Sequence, residues 1–368
     1  MKVGILTFPN SPSHGATLQM FALYQSVKKL GHEAEILNYQ SQWMKDGLHT
    51  TAGQKRAACS RWLKKTGADL LHLRGRLGFR RFEKNLTKYP RRAFTNKKYL
   101  PEVGARYDAV ICGSDQVWNP DITGCDLSYF LDFCGENTAR VAYAPSFGVE
   151  SLSRDFGQAA AKELAQFSHL SVREAAGQAI IRETTGAEAQ LVADPTLLMD
   201  DKEWENYEKP HPQAKGEYIL YYTIRTANGN LWNYCRNLAE KCNLKILRIG
   251  GNAINRKSRS TDGVEYVCDV SPEEWLYLMH HAKYVVTNSF HGTAFAINYR
   301  KNFFVEFSSL TNSRLSHIVN TLGLEAQVVT GPEATLPLKT DYSRAEERLS
   351  ALRAESVQFL QRALMGRK

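Results

Sequence analysis

The chain has no C-x-x-C pair, no apolar run long enough to cross a membrane, no internal repeat and no low-complexity tract. Each absence closes off a class. Its seven cysteines, Cys59, Cys112, Cys125, Cys134, Cys235, Cys242 and Cys268, are odd in number and scattered. That pattern argues against a zinc ribbon or a disulfide scaffold and reads as free thiols in a reducing compartment. The N-terminal MKVGILTF carries one lysine and an apolar stretch too short for a signal-peptide core. With no segment of membrane-spanning length either, a cytoplasmic location is the expectation. A single glycine after His14 falls short of a dinucleotide fingerprint, so NAD is not indicated. No metal-ligand cluster stands out, and no metal is expected.

What is present is enough for two domains, each with its own core: 368 residues, 43% hydrophobic and 23% charged. The net charge of +9 is concentrated. Lys45 to Arg106 holds 17 Lys/Arg against 4 Asp/Glu, so this stretch carries +13 and the rest of the chain −4. Trp62, Leu63, Leu73, Leu77, Phe82 and Leu86 recur there at roughly helical spacing, which predicts a basic amphipathic helix or helical pair. Such a segment is either a solvated face with its apolar side on the core, or a dock for an anionic membrane surface or a polyphosphate-bearing substrate. No aromatic platform or recognition motif accompanies the charge, which argues against nucleic acid.

Strands and helices alternate along the rest. KVGILTF reads as a strand, GATLQMFALYQSVKKL as a helix with Met20, Leu23, Val27 and Leu30 on one stripe and Gly31 as its C-terminal cap, and AEILNY as the next strand. YDAVICG, ARVAYA, HLSVRE and AQLVAD continue the series. A second series runs from EYILYYTI through LKILRIG, VEYVCD, a helix opened by SPEE, and KYVVT. The polar, proline-containing DDKEWENYEKPHPQAKGE separates the two. The expected organisation is an α/β protein with one Rossmann-like domain over 1–200 carrying a basic helical insert at 45–106, a second over 201–340, and a C-terminal helix over 341–368.

Two such domains imply a cleft, because ligands of open α/β sheets bind beyond the carboxyl ends of the strands. Those ends carry PNSPSHGATLQ, GSDQVWN, PSFG, Arg173 and NSFHG. In order and spacing, the segments ILTFPNSPSHGATLQMFALYQSVKKLGHEAEILNY, YDAVICGSDQVWNP, VAYAPSFG, SVREAAG, VADPTLL and VVTNSFHGTAFAINY resemble the polysaccharide pyruvyl transferase family. The resemblance runs from the first strand to about Leu324. It implies a GT-B-like pair of domains facing a central cleft. It also implies transfer of an enolpyruvyl-derived group from phosphoenolpyruvate, the donor substrate, to two hydroxyls of a nucleotide- or lipid-linked saccharide as a cyclic ketal, during surface polysaccharide synthesis. No cofactor is implied. Many members have Arg-x-His-Gly where this chain has Ser289, Phe290, His291 and Gly292, so the donor's carboxylate would fall to Arg173, Arg225 or Arg314.

Ketal transfer needs a proton donor for the methylene carbon, and an imidazole with an ordinary pKa of about 6.5 suits it. His291, between a strand end and a helix, is the catalytic candidate, with Asp115 as acceptor of a sugar proton. Ser289, Gly292 and the amides that open this helix suit an anionic donor. Arg173 offers a planar fork for carboxylate or phosphate, against an alternative as an ion-paired structural residue. Arg314 lies at a helix start, where a solvent-facing charge is the plain alternative. Gln116, Trp118 and Asn119 have the chemistry of a sugar platform, and His14, Gly15 and Gln19 complete the acceptor-side set. His280 and His281 end a helix, where they would meet its terminal carbonyls. Two other classes stay open: a nucleotide-sugar-dependent glycosyltransferase on the same scaffold, and a non-enzymatic binding protein. The lipid-linked acceptor also gives the basic stretch a partner, at the inner membrane face.

Overall fold

The N-terminal βαβ unit forms from β1 (Lys2–Leu6), α1 (His14–Lys29) and β2 (Glu33–Ile36), with Gly31 just past the helix at φ +84°. That left-handed conformation is the one that favours glycine after a helix end. The computed structural model describes residues 1–45, 73–88, 96–224, 229–250, 263–307 and 312–365. Next come α2 (Leu73–Leu86), β3 (Ala109–Asp115), β4 (Ala139–Pro145), α3 (Arg154–Leu164), β5 (His169–Val172), α4 (Ala175–Thr185) and β6 (Gln190–Leu191). The second series is β7 (Tyr218–Thr223), α5 (Gly229–Cys242), β8 (Lys245–Gly250), β9 (Val264–Tyr266), α6 (Pro272–His280) and β10 (Tyr284–Thr287). It ends with α7 (Phe290–Asn298), β11 (Asn302–Val305), α8 (Asn312–Leu322) and α9 (Ser343–Leu364).

All the described strands pair in parallel, in two sheets ordered β2-β1-β3-β4-β5-β6 and β11-β10-β7-β8-β9. Both are doubly wound, Rossmann-like sheets. The strand order reverses between β1 and β3 in the first and between β7 and β10 in the second.

Strand alternation sorts the first core into two faces. Ala109 and Ile111 meet α1 through Met20, Leu23 and Val27, together with Phe359, Leu360, Ala363 and Leu364 of α9. Val110 and Cys112 face the other way, toward Phe156 of α3, Ile180 and Ile181 of α4, and the aromatic segment Trp118 to Phe133. In the second sheet Ile219, Tyr221, Tyr284, Val286 and Phe304 pack on Leu231, Tyr234, Cys235 and Leu238 of α5.

Two segments are distributed otherwise than the sequence suggests. One unit comprises the described residues of Met1–Lys64, Glu83–Leu198 and Ala351–Lys368, and the other those of Lys65–Phe82 and Met199–Ser350. The basic stretch is therefore not one insert of the first domain. Its residues 73–82 join the second unit because Gly75 and Gly78 let α2 lie against Asp269 and Ser271, where an added Cβ would come to 2.7 and 2.6 Å of their atoms. The Asp269 carboxylate accepts the Arg74 and Gly75 backbone N–H groups at 3.1 and 2.6 Å, and Arg74 pairs with Glu274 of α6. Nor is the last helix a separate element, since its second half completes the first core. No described helix is long and apolar enough to cross a membrane.

Candidate functional site

Both sheets gather polar residues at the switch points, and the two sets differ in kind. In the first unit the Thr7 hydroxyl, just past β1, donates to the Ser114 carbonyl at 3.2 Å and accepts from Gln19 Nε2 at 2.9 Å. Gln19 is fully buried and also donates to the Ala16 carbonyl. Gln19 is thus a brace between α1 and the strand ends, and the expectation that it contacts an acceptor is corrected. His14 opens α1 half-buried and Gly15 behind it is buried.

β3 ends on Asp115, a non-glycine residue at φ +70°. Such a conformation costs on the order of 1 to 3 kcal/mol and persists where surroundings impose it. Here the Asp115 carbonyl accepts the Ser146 N–H at 2.8 Å, and its carboxylate faces Arg173 at 3.4 Å. Arg173 follows β5, is 1% exposed, and also faces Asp194 at 2.9 Å and Glu174 at 3.5 Å. Asp194 in turn accepts from Ser114 Oγ and from the hydroxyl and N–H of Thr196. Burial disfavours the guanidinium charge, but Asp194, Asp115 and Glu174 outweigh it and hold the Arg173 pKa above its usual value. The donor-binding expectation for Arg173 is corrected accordingly: its fork is committed to these carboxylates, and it positions Asp115.

Trp118 is not a sugar platform. It is fully buried, stacks on Phe130 with ring centroids 5.0 Å apart, and donates its indole N–H to the Tyr129 carbonyl. Asn119 caps the short helix that follows by accepting the Asp121 N–H, and donates to Gln116 Oε1 at 2.9 Å. Gly148, at φ +64°, makes room for this pair, because a Cβ there would come to 2.1 Å of Gln116 Oε1. Asp115 and Gln116 remain partly accessible, whereas Asn119 is buried.

In the second unit the switch point is built from hydroxyls, an amide, an imidazole and one buried carboxylate, that of Glu306 just past β11, whose N–H donates to the Thr287 carbonyl at 3.2 Å. Thr287 Oγ1 donates to the Tyr222 carbonyl at 2.6 Å and accepts the Ser289 N–H at 3.0 Å. Asn288 Oδ1 accepts the Ile224 N–H at 3.0 Å, tying the end of β10 to that of β7. Ser289 caps α7, its hydroxyl accepting the Gly292 N–H at 3.2 Å. Burial pushes the nearby Tyr222 hydroxyl up to about 12, against a lowering hydrogen bond with Ser289. A Cβ at position 292 would come to 2.5 Å of Thr287 Oγ1 and 3.0 Å of the Tyr222 ring. Packing at the end of the strand is thus by itself a reason for Gly292. His291 stands in the first turn of α7, 9% exposed, its ring edge-on to Phe290 at 5.2 Å.

Arg314 differs from the surface charge its sequence context suggests: it is buried, 7% exposed, on α8, which packs against α7. Three residues on, and so on the same face of the helix, is His317, which the sequence reading passed over. Burial lowers its pKa. The i, i+3 spacing of arginine and histidine in NSRLSHIV is the signal that could have found it. Arg225 lies outside the described residues. The structure brings Asp115 together with Arg173, and Gln116 with Asn119, in one unit; Ser289, His291, Gly292 and Arg314 belong to the other.

One set of described residues has the character of metal ligands: Glu208, His280 and His281. It is a grouping that did not stand out in the sequence. The two imidazoles face Glu208 rather than the carbonyls at the end of α6, and Glu208 stands 72 residues from His280, so no local spacing reveals the set.

Among solved structures the chain is similar in fold to a protein from Listeria monocytogenes assigned as a UDP-N-acetylglucosamine 2-epimerase, at TM-score 0.52 and 10% identity, covering 98% of this chain and 90% of that one. An S. aureus MnaA–UDP co-structure follows at TM-score 0.49 and 11% identity, covering 99% and 91%. The E. coli heptosyltransferase WaaC with ADP-2-deoxy-2-fluoro heptose follows at TM-score 0.41 and 12% identity, covering 84% and 89%. None of the curated protein sequences matches the chain. The polysaccharide pyruvyl transferase family model, in contrast, matches residues 14–305, from the first turn of α1 through the last residue of β11. That span takes in the strand-end positions Asp115, Arg173 and His291 and leaves out β1 and Arg314, and the chain belongs to the polysaccharide pyruvyl transferase family.

Proposed function

We propose that the protein transfers the pyruvyl group of phosphoenolpyruvate to two hydroxyls of one saccharide, forming a cyclic ketal and releasing phosphate. The first hydroxyl oxygen gives up its proton and bonds to C2 of the donor as the C2=C3 double bond opens and the methylene carbon takes up a proton. The second hydroxyl oxygen then replaces phosphate at the same carbon and gives up its proton. The observation that carries this reading is the placement of His291 in the first turn of α7, at the carboxyl end of the switch-point strand β10, with the buried Arg314 on the adjoining helix. His291 supplies the methylene proton, a role in which a positioned acid contributes about 10² to 10⁴ in rate. Arg314 holds the donor's carboxylate or phosphate with two charge-assisted bonds.

We assign the acceptor to the first unit. Asp115, fixed by Arg173, takes the sugar proton, and Gln116, with His14 beside the opening of α1, contacts the saccharide. No cofactor takes part. The acceptor is nucleotide- or lipid-linked, and the exposed cations of α2, Arg80 and Lys84 among them, contribute to a peripheral dock on the anionic inner face of the membrane. Incubation of the protein with phosphoenolpyruvate and lipid-linked or nucleotide-linked saccharides, followed by phosphate release, tests the reading. Release that requires both substrates supports it. Turnover of nucleotide sugars without phosphoenolpyruvate would replace it with glycosyl transfer, and binding of both substrates without turnover with a non-catalytic role.

A further inference from the structure

The cluster at the C-terminal end of α6 belongs to neither switch point. His280 Nδ1 stands 2.9 Å from Glu208 Oε1, and His281 Nε2 stands 3.5 Å from Glu208 Oε2. One ligand atom from each of the three residues lies within 4.8 Å of the other two. Around a tetrahedral zinc ion with bonds of about 2.0 to 2.1 Å, donor atoms sit roughly 3.3 Å apart. The two imidazoles approach different oxygens of the one carboxylate, and a set with one donor atom from each residue spans no more than 4.8 Å, so side-chain rotations that draw these atoms together close the set on an ion.

Its surroundings hold the ligands in place. The His280 ring stacks on Tyr299, centroids 4.5 Å apart and planes within 9°, and the His281 ring lies 4.0 Å from that of Tyr277. Lys301 Nζ donates to the His280 carbonyl at 2.6 Å, fixing the backbone at the helix end. Behind His280, on its other nitrogen, Glu205 Oε1 stands 3.8 Å from Nε2. At that separation a side-chain rotation of Glu205 is needed for it to receive the Nε2–H of a His280 that binds metal through Nδ1, as the outer partner that ligating histidines usually have.

We propose that Glu208, His280 and His281 bind one divalent transition-metal ion of the zinc type, with Glu205 as a positioning residue. Two imidazoles and one carboxylate suit such an ion, whereas calcium and magnesium prefer sites built from oxygen. His281 is 45% exposed at its side chain, which leaves room for water in the remaining coordination position.

The ion ties the connection that leads from Asp201–Glu205 toward β7 to the end of α6. It lies away from the proposed chemistry: His280 and His281 precede β10, and Ser289 and His291 follow it. Four residues of strand separate the two by on the order of 13 Å. The site is therefore structural, and pyruvyl transfer does not depend on it.

The test uses the full chain, stripped with a chelator and dialysed. Zinc is titrated by calorimetry, and Co²⁺ by visible absorption. One equivalent should bind with micromolar or tighter affinity, raise Tm, and give the intense visible bands of low-coordinate Co²⁺. Glu205→Gln should weaken binding by about 10- to 100-fold, and the half-exposed His281→Asn, which the fold tolerates, by more. Absence of stoichiometric binding to the parent, or equal binding by His281→Asn and parent, overturns the proposal. The cobalt spectrum of the parent decides the matter even if a variant misfolds: bands of an all-water octahedral ion count against the site.

Discussion

The two switch points have the same place in two similar sheets, yet they use polar groups differently. At the first, charged side chains face one another: Arg173 is surrounded by Asp194, Asp115 and Glu174, and only Asp115 keeps appreciable exposure, 15% of its side chain. At the second, the hydrogen bonds of Thr287, Asn288 and Ser289 go largely to backbone, and the buried charges stand on separate elements, Glu306 just past β11 and Arg314 on α8. A polar residue at a strand end is therefore not yet a ligand contact. Which residues remain for chemistry depends on which are consumed in holding the loop, and that differs between two halves of one chain.

The largest effect that would sharpen this contrast is on stability. Removing one partner of a buried ion pair leaves its charges uncompensated, so Arg173→Ala should destabilise the protein by about 3 to 5 kcal/mol in denaturant titration. A stable Arg173→Ala protein with a steeply raised constant for phosphoenolpyruvate would restore Arg173 to the donor site and erase the distinction. For Arg314→Ala the decisive readout is the donor. Loss of a buried charge-assisted contact weakens donor binding by about 2 kcal/mol or more, roughly 30-fold. Unchanged donor affinity would return Arg314 to a purely structural part.

Gly292→Ala comes next. Overpacking against Thr287 Oγ1 and the Tyr222 ring should cost about 1 to 3 kcal/mol of stability. If it instead lowered donor affinity with no change in Tm, the glycine would be there for the ligand after all. The smallest effect concerns α2. Each cation near an anionic surface contributes about 1 kcal/mol, fading over about 8 Å at physiological salt. Arg80→Glu together with Lys84→Glu should therefore reduce cosedimentation with anionic vesicles at low salt and leave turnover on a short soluble acceptor unchanged. A parent protein that ignores such vesicles would make the basic face a solvated one.

Much of the fold is legible in the sequence because its signals are local. Alternating apolar runs mark the strands, Gly31 stops α1, and Ser271, Pro272 and Glu274 start α6 with a complete capping box. The site is less legible because its decisive features are distant pairings. Nothing near Arg173 announces Asp194 or Asp115, and nothing near Trp118 announces that Phe130 and Tyr129 will cover it. The polarity of Gln19 suggests a ligand contact until its partner Thr7, twelve residues earlier, is seen to take its amide. Likewise, Gly75 and Gly78 look like weak points in a basic helix, and only their seat on Asp269 and Ser271 explains why residues 73–82 join the second unit.

The central claim is that His291 delivers the proton to the donor's methylene carbon, and the most direct measurement is single-turnover phosphate release at saturating phosphoenolpyruvate and acceptor. His291→Ala should keep the parent's Tm and donor affinity while its chemical step slows by about 10² or more. A rate within a fewfold of the parent, with the fold intact, would contradict the account.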